Sequence, residues 1–267
     1  MKIIFLNIWG GKIFEPLMKF LKESEETTDF FCFQEVFDSP EARFVSWGGR
    51  ANIYSELQES LSGFESRFAP VQERHDGDKW LDFNFSQGLA IFAKKDIRVK
   101  TVGGIFIHGQ KNGLRGSDAK SYPCNLQYIR LERGGTKYTI CNVHGTAWPG
   151  SKLDTPERLA QSQKIAEFLN NERGEKILGG DFNLLPDAES IRMIERAGMK
   201  NLIKEFGIAT TRSALCYTLY PEKDRQYFSD YAFVSPGVQV TNFVVPQLEI
   251  SDHLPLILEV ADRSEKE

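Results

Sequence analysis

Eight short apolar segments with the character of β-strands recur along this chain, and they constrain its fold more than any other feature. In chain order they are KIIFLNI, FFCFQEV, GLAIFAK, NLQYIRLE, KYTICNVH, KILGGDF, DYAFVS and LPLILEV. Several neighbours are joined by short connections that suit antiparallel pairing, while others are separated by helical patterns. Strands mixed with amphipathic helices predict an α/β or α+β protein with mixed rather than purely parallel sheets.

The helical patterns lie between these strand segments. Apolar residues at i, i+3, i+4 and i+7 in residues 14–21 predict one face of a first helix. Thr155 and Pro156 are typical of an N-cap followed by the first helical position, which predicts a second helix after them. Asp187 is predicted to cap a third helix that ends near Gly198.

Composition excludes some classes of protein. The chain has 267 residues, of which 41% are hydrophobic and 26% charged, as in ordinary soluble globular proteins. Its net charge is −4 and its isoelectric point about 5.7, so no global positive field attracts nucleic acid or anionic membranes. This balance argues against a non-specific DNA-binding protein, but it is compatible with an enzyme whose basic residues are local.

Cysteine usage and hydropathy predict the compartment. The four cysteines form no CxxC pair, which favours buried free thiols in a reducing compartment and hence a cytoplasmic location. The chain contains no apolar run of about 18 residues, so no membrane span is predicted.

Polar residues that could do chemistry stand at the ends of the strand segments. They are Asn7, Glu35, His144, Asp181, Asn183, Asp230, Asp252 and His253. Each has an ordinary structural explanation on its own, but the ends of several strands in a sheet protein can line one cleft. Carboxylate and amide oxygens suit Mg²⁺ or Mn²⁺, and the histidines are too few and too irregularly spaced for a typical zinc site. The set fits metal-assisted hydrolysis of a phosphate ester.

The segment ILGGDFNLLPD raises a specific question about geometry. In an extended chain the side chains at i and i+2 share a face, so Asp181 and Asn183 would point into the same space. Glycine, aspartate and asparagine also favour turns, so an ordinary turn is the alternative.

These residues in order, within LNIWGG, QEV, NVHG, GDFN, SDYAFVS and SDHLPL, resemble the endonuclease/exonuclease/phosphatase family over residues 2–260. The resemblance implies a four-layer α/β/β/α sandwich of two mixed sheets flanked by helices, with residues 1–267 as a single catalytic domain. It also implies Mg²⁺-dependent hydrolysis of phosphoester bonds, with nuclease or phosphodiesterase activity as the first expectation. A phosphomonoesterase acting on a nucleotide or phosphoinositide-like headgroup and an inactive binding module of the same fold are the alternatives.

The resemblance further implies a metal site. Glu35 would be the principal ligand of Mg²⁺, with Mn²⁺ as a substitute. Asn7 and Asp252 would lie close by as direct or water-mediated partners.

The remaining residues of the series receive catalytic roles from the same resemblance. Asp181 would position or deprotonate the attacking water, and Asn183 would orient that water or the scissile phosphate. His253, oriented by Asp230, would bind a phosphate oxygen and stabilise the charge of the transition state. His144 would donate to another phosphate oxygen.

Substrate-binding residues are harder to predict. Trp148 and Lys152 lie on a predicted loop, where an aromatic ring beside a lysine could stack on a base and contact its phosphate, or the ring could pack over its own loop. The longest irregular stretch is predicted at residues 103–123, and its Arg115 belongs either to a solvated loop or to a mobile basic loop that meets phosphate. The expected partner is a phosphoester, with nucleic acid or nucleotide as candidates, and no obligate protein partner is inferred.

Overall fold

The computed structural model describes residues 1–219, 222 and 225–261, and these residues form two six-stranded sheets. The strands are β1 (Lys2–Asn7), β2 (Phe30–Asp38), β3 (Phe64–Glu73), β4 (Ser86–Lys94), β5 (Val99–His108), β6 (Cys124–Arg133), β7 (Thr136–His144), β8 (Glu175–Asp181), β9 (Lys200–Asn201), β10 (Asp230–Val234), β11 (Val240–Val244) and β12 (Leu256–Val260). The first sheet has the order β11-β12-β1-β2-β4-β3 and the second the order β5-β6-β7-β8-β10-β9. β1 and β2 pair in parallel, as do β7 and β8, while the other pairs are antiparallel. Both sheets are therefore mixed, as predicted.

Helices cover the outer faces of the sheets. Within the described ranges they are α1 (Phe14–Ser24), α2 (Ile53–Ser60), α3 (Pro156–Asn171), α4 (Glu189–Arg196), α5 (Leu202–Glu205) and α6 (Ala214–Leu219). The apolar side chains of α1 and α2 join one buried cluster with the first sheet, and those of α3 and α4 join another cluster that also fills the space between the sheets. The layers follow the order α/β/β/α, which confirms the predicted architecture.

Side chains alternate between the two faces of each strand, and this explains how the first sheet packs against two buried clusters. In β1, Ile3 and Phe5 belong to the cluster between the sheets, while Ile4 and Leu6 belong to the cluster beneath α1 and α2. Successive side chains of a strand point to opposite faces, so a strand buried on both faces must be apolar throughout. This is why the interior strands read as continuous apolar runs in the sequence.

The eight predicted strands are the eight interior strands, and the four edge strands β3, β5, β9 and β11 were not predicted. The prediction of irregular structure over residues 103–123 is wrong for residues 103–108, which belong to β5. Two glycines weaken the strand pattern there. One of them is needed, because a Cβ on Gly103 would lie 2.4 Å from the hydroxyl of Tyr128 on the paired strand.

Helix caps agree with the sequence at one helix and differ at another. Thr155 caps α3 as predicted. The prediction that Asp187 caps the third helix is wrong, because α4 begins at Glu189 and the side chain of Asp187 is fully exposed. The carboxylate of Asp154 instead accepts hydrogen bonds from the backbone N–H groups of Glu189 and Ser190, at 2.7 and 3.0 Å. A cap supplied by a distant loop leaves no local sequence signal.

All four cysteines are buried and free, as predicted. None of the helices in the described part of the chain is long and apolar enough to cross a membrane.

Candidate active site

The polar residues at the strand ends meet because of the strand directions. β1 and β2 run in parallel, so Asn7 and Glu35 both lie toward the C-terminal ends of these strands. In the second sheet, His144 on β7 lies directly opposite Asp181 on β8. β10 runs antiparallel to β8 and begins where β8 ends, so Asp230 also lies opposite Asp181. Asn7 links the two sheets, since its Nδ2 donates to Glu35 Oε1 and to Asp181 Oδ2, each at 3.0 Å.

The two glycines before Asp181 allow close packing of β8. A Cβ on Gly179 would lie 2.7 Å from the ring of Phe5 on the other sheet. Gly180 has a φ of +131°, and a Cβ there would lie 2.2 Å from the carbonyl oxygen of Val143. The glycines therefore let β8 approach both its neighbouring strand and the opposite sheet.

The chain turns directly after Asp181. Asn183 has a φ of +54°, and its N–H donates to Asp181 Oδ1 at 2.9 Å. Of the two geometries that the sequence left open, the chain therefore adopts the turn, because an aspartate side chain that accepts from the backbone two residues ahead forms a turn. Both side chains nevertheless line the same cleft.

The two oxygens of the Asp181 carboxylate have different surroundings. Oδ1 accepts from the hydroxyl of Ser229 at 2.5 Å and from the backbone of Asn183. Oδ2 accepts from Asn7 and faces Nε2 of His144 and Nε2 of His253, each 3.7 Å away. The contacts of Oδ1 hold the carboxylate in place, and Oδ2 is the oxygen near the two imidazoles.

The charge of Asp181 is maintained by its cationic neighbours. Burial raises the pKa of this carboxyl group, which is only 1% exposed, but His253, Lys152, His144 and the hydrogen bond from Ser229 lower it more. Together they hold the pKa of Asp181 well below its ordinary value, so the group is an ionised base at neutral pH.

His253 lies among carboxylates and one arginine. Asp230 accepts from Nδ1 of His253 at 2.8 Å, which brings together the pair that the sequence predicted. Burial and Arg212 lower the pKa of His253, but Asp230, Asp252 and Asp181 raise it more, and the net pKa lies above the ordinary value. Burial raises the pKa of Asp230.

Arg212 and Ser229 belong to the site but were not predicted from the sequence. Nη2 of Arg212 donates to Asp252 Oδ2 at 2.7 Å, and its Nη1 contacts Nε2 of His253. Arg212 lies in a loop without hydrophobic periodicity, so nothing local distinguished it. Ser229 did carry a signal, because it forms one of two Ser-Asp pairs that precede strand segments, the other being Ser251-Asp252.

The sequence predicted a substrate contact for Lys152, and this residue lines the cleft. It is buried, and its Nζ donates to the Ser229 hydroxyl at 2.6 Å. Burial lowers the pKa of Lys152. The lysine, the serine and the Asp181 carboxylate therefore form a continuous chain of hydrogen bonds.

The donor set at Glu35 fits a divalent cation. Glu35, His144 and Asp181 each offer one ligand atom, and these atoms lie within 4.8 Å of one another. Glu35 has a φ of +53° where the pairing of β2 with β4 shifts register, so it lies at a bulge inside β2 rather than at the strand end, and it lines the cleft. The two carboxylates suit Mg²⁺ or Mn²⁺, whereas the imidazole is a more usual ligand of zinc and other transition metals.

The other two predicted metal residues are engaged elsewhere. Asn7 faces the carboxylates with its amide nitrogen, since its oxygen accepts from the backbone of Trp9 at 3.0 Å. Asp252 is paired with Arg212. Both therefore lie beside the donor set formed by the other residues.

The site opens into a cleft of about 1000 Å³. Its lining includes Glu35, His144, Asp181, Asn183, Asp252 and His253, together with aromatic side chains at Trp9, Trp47, His75, Tyr122 and Trp148. Asn7 and Asp230 are buried behind the lining residues. Trp148 is 54% exposed, and Arg115 lies on an exposed loop whose neighbours Leu114 and Ser117, but not Arg115 itself, line the cleft.

Comparison with known proteins agrees with this architecture. A family model described as "Endonuclease/Exonuclease/phosphatase family" matches residues 4–253. No curated protein matches the chain in sequence.

Solved structures share the fold at low sequence identity. An endonuclease/exonuclease/phosphatase family protein from Leptotrichia buccalis is 16% identical, with a TM-score of 0.70, 98% of this chain covered and 99% of that one. A mannosyl-6-phosphatase from Bacteroides thetaiotaomicron is 17% identical, with a TM-score of 0.66 and the same coverage. The human Nocturnin catalytic domain is 18% identical, with a TM-score of 0.65, 98% of this chain covered and 93% of that one. At these identities the similarity concerns the fold.

Proposed function

Because this chain belongs to the endonuclease/exonuclease/phosphatase family of metal-dependent phosphoester hydrolases, we propose that it hydrolyses a phosphoester bond with Mg²⁺ in a small substrate of nucleotide size. The observation that carries this proposal is the cleft. The charged residues converge on it, its aromatic walls surround them, and its volume of about 1000 Å³ suits one small ligand.

Glu35 is the residue that would hold the cation as its main anionic ligand, and Asp181 and His144 lie beside it. A bound divalent cation would polarise the phosphoryl group and offset the negative charge that the carboxylates and the substrate bring together. The carboxylate oxygens of Glu35 and Asp181 favour Mg²⁺ over a softer metal.

The protein's own residues then supply the base and the anion-binding groups. Asp181 accepts a proton through Oδ2 from a water molecule, whose oxygen attacks phosphorus as the bond to the leaving oxygen breaks. The leaving oxygen takes a proton from solvent, so the products are an alcohol and a phosphate. His253 and His144 donate to phosphate oxygens, and Asn183 orients the water or the phosphate.

Long double-stranded nucleic acid fits this cleft less well than a small phosphoester does. A duplex presents one negative charge per about 1.7 Å and is bound through rows of cationic side chains. The net charge of the chain is −4, and Glu35, Asp76, Asp78 and Asp252 all line the cleft.

A nuclease that accepts the end of a single strand is a second candidate. The ring of Trp148 is half exposed and lines the cleft, and exposed aromatic rings stack on unpaired bases. This candidate keeps the same chemistry and differs only in the group that is esterified to the scissile phosphate.

A substrate panel tests the proposal. Purified protein with Mg²⁺ is incubated with nucleotides, sugar phosphates, a phosphoinositide headgroup, single-stranded and duplex DNA, and RNA, and product is measured by phosphate release and chromatography. We expect turnover of at least one small phosphoester, loss of it in Asp181→Asn, and no loss in the control Asp187→Asn, whose carboxylate is exposed outside the site. Failure to hydrolyse any member of the panel would contradict the proposal.

A further inference from the structure

Arg212 stands out in the cleft because the mechanism above does not use it. It is 7% exposed and lines the cleft beside Asp252 and His253. Burial lowers the pKa of Arg212, but the carboxylate of Asp252 and other nearby anionic groups raise it more, so the guanidinium remains charged. A buried fixed charge beside the phosphate-binding histidine requires a physical explanation.

The hydrogen bonds of Arg212 account for only part of its donors. A guanidinium carries five N–H bonds. Nε donates to Cys216 Sγ at 3.2 Å, Nη2 donates to Asp252 Oδ2 at 2.7 Å, and Nη1 contacts His253 Nε2. Each terminal nitrogen retains one further N–H bond, for which the described residues supply no acceptor. Buried donors are normally satisfied, and these belong to a side chain that lines the cleft.

An anionic oxygen at this position would meet donors from two residues. Arg212 Nη1 and His253 Nε2 are in contact, so one oxygen that lies against both nitrogens accepts from Arg212 and, when Nε2 carries a proton, from His253 as well. Charge-assisted hydrogen bonds from a guanidinium to phosphate are among the strongest in proteins. Arg212 is therefore a further donor to the substrate's phosphate oxygens, besides His144 and His253.

The number of unesterified oxygens distinguishes the substrates that could bind Arg212. A phosphomonoester has three such oxygens and a phosphodiester has two, so the third position carries either a charged oxygen or an ester group. An ester group facing Arg212 would cover a buried charge without pairing with it. A site built to hydrogen-bond a group discriminates strongly against a substrate that lacks that group.

We propose that Arg212 binds the third unesterified oxygen of the substrate and thereby selects phosphomonoesters over phosphodiesters. The proposal rests on the proposed function, because it names the substrate class of the same site. The competing explanation is that Arg212 only clamps Asp252 and orders the cleft, in which case its removal would affect both ester classes alike.

The experiment compares two chromogenic substrates of matched leaving group. The values of kcat/KM for p-nitrophenyl phosphate and bis(p-nitrophenyl) phosphate are measured at saturating Mg²⁺ for the wild type, Arg212→Gln and Arg212→Lys. The matched control is Arg192→Gln, which removes an exposed arginine of α4 outside the site. Circular dichroism and urea unfolding show whether each variant is folded.

We expect the wild type to prefer the monoester and Arg212→Gln to lower its kcat/KM by about 10²–10³, as expected when one donor to transition-state charge is removed. The diester should change by less than about tenfold, and Arg212→Lys should fall between, because lysine keeps the charge without the planar fork. Equal losses for both esters, or a wild type that prefers the diester, would overturn the proposal.

A binding measurement separates this inference from the proposed function and does not require folded variants. Inorganic phosphate and dimethyl phosphate are compared as inhibitors of the wild type, and in metal-free buffer by quenching of tryptophan fluorescence, since three tryptophans line the cleft. We expect phosphate to bind at least about tenfold more tightly than dimethyl phosphate, as one charge-assisted bond implies. Equal affinities would overturn the role of Arg212 even if hydrolysis is observed, whereas absence of hydrolysis with every substrate would overturn the proposed function itself.

Discussion

Replacing Ser229 by alanine tests how the Asp181 carboxylate is held. The Ser229 hydroxyl donates to Asp181 Oδ1 at 2.5 Å and accepts from Lys152 Nζ at 2.6 Å, and all three groups are buried. Ser229→Ala removes a hydrogen bond to an ionised group, which contributes about 1.5–3 kcal/mol. If that energy orients the base, it corresponds to a loss of about 10- to 150-fold in kcat at about 1.4 kcal/mol per decade.

The loss should appear in kcat rather than in KM. Asp181 is proposed to take the proton of the attacking water, and an interaction that matters mainly in the transition state lowers kcat and kcat/KM together. Steady-state kinetics on the best substrate of the panel, with Mg²⁺ saturating, measures both constants. Ser229→Thr keeps the hydroxyl and should recover most of the rate, which separates the hydrogen bond from packing.

A double-mutant cycle then tests whether Lys152 acts through Ser229. Lys152→Met should lower kcat, and the double variant should lose about as much as Ser229→Ala alone, because residues in one hydrogen-bond network are not additive. Unchanged kcat in a folded Ser229→Ala protein would refute the reasoning. A rise in KM alone for Lys152→Met would instead support the substrate contact that the sequence predicted for this lysine.

Further substitutions probe the metal site, a helix cap and the histidine pair. Glu35→Gln should raise the Mg²⁺ concentration needed for half-maximal activity by at least about tenfold, since the site loses its main anionic ligand; an unchanged metal titration by calorimetry would contradict the donor set. Asp154→Ala should lower the free energy of unfolding in urea by about 1–2 kcal/mol through loss of the α4 cap, while Asp187→Ala should leave it unchanged; equal effects would contradict the capping assignment. His253→Gln should lower kcat by about 10²–10³, and Asp230→Asn should cost less because it only orients the imidazole; the reverse order would contradict the assigned roles.

Burial explains which strands could be predicted from the sequence. The interior strands are paired on both sides and most of their side chains are buried, so they appear as segments rich in apolar residues. Edge strands carry charged residues, proline and glycine, which protect an unpaired edge from further pairing. In β3 a register shift follows Pro70, and in β5 two glycines interrupt the pattern. The edge strands were not predicted because the residues that prevent further pairing also interrupt the apolar pattern.

Local sequence patterns also revealed only part of the candidate site. Residues such as Glu35 and Asp181 could be predicted because apolar runs lead up to them. Arg212 reaches the site from a loop, and its partners Asp252 and His253 lie about 40 positions away along the chain. The bulge that gives Glu35 its positive φ depends on pairing with β4, which no local pattern expresses.

The place of β12 in the first sheet has a consequence for how the enzyme matures. β12 lies between β1 and β11, and Ser251 just before it donates to the backbone oxygen of Asn7 at 2.7 Å across 244 positions of sequence. His253 and Arg212 can meet Asp181 only after this long-range pairing has formed, and such pairings are slow to form. We therefore expect hydrolytic activity to return later during refolding than helical circular dichroism, because a partly folded chain has helices but no assembled site.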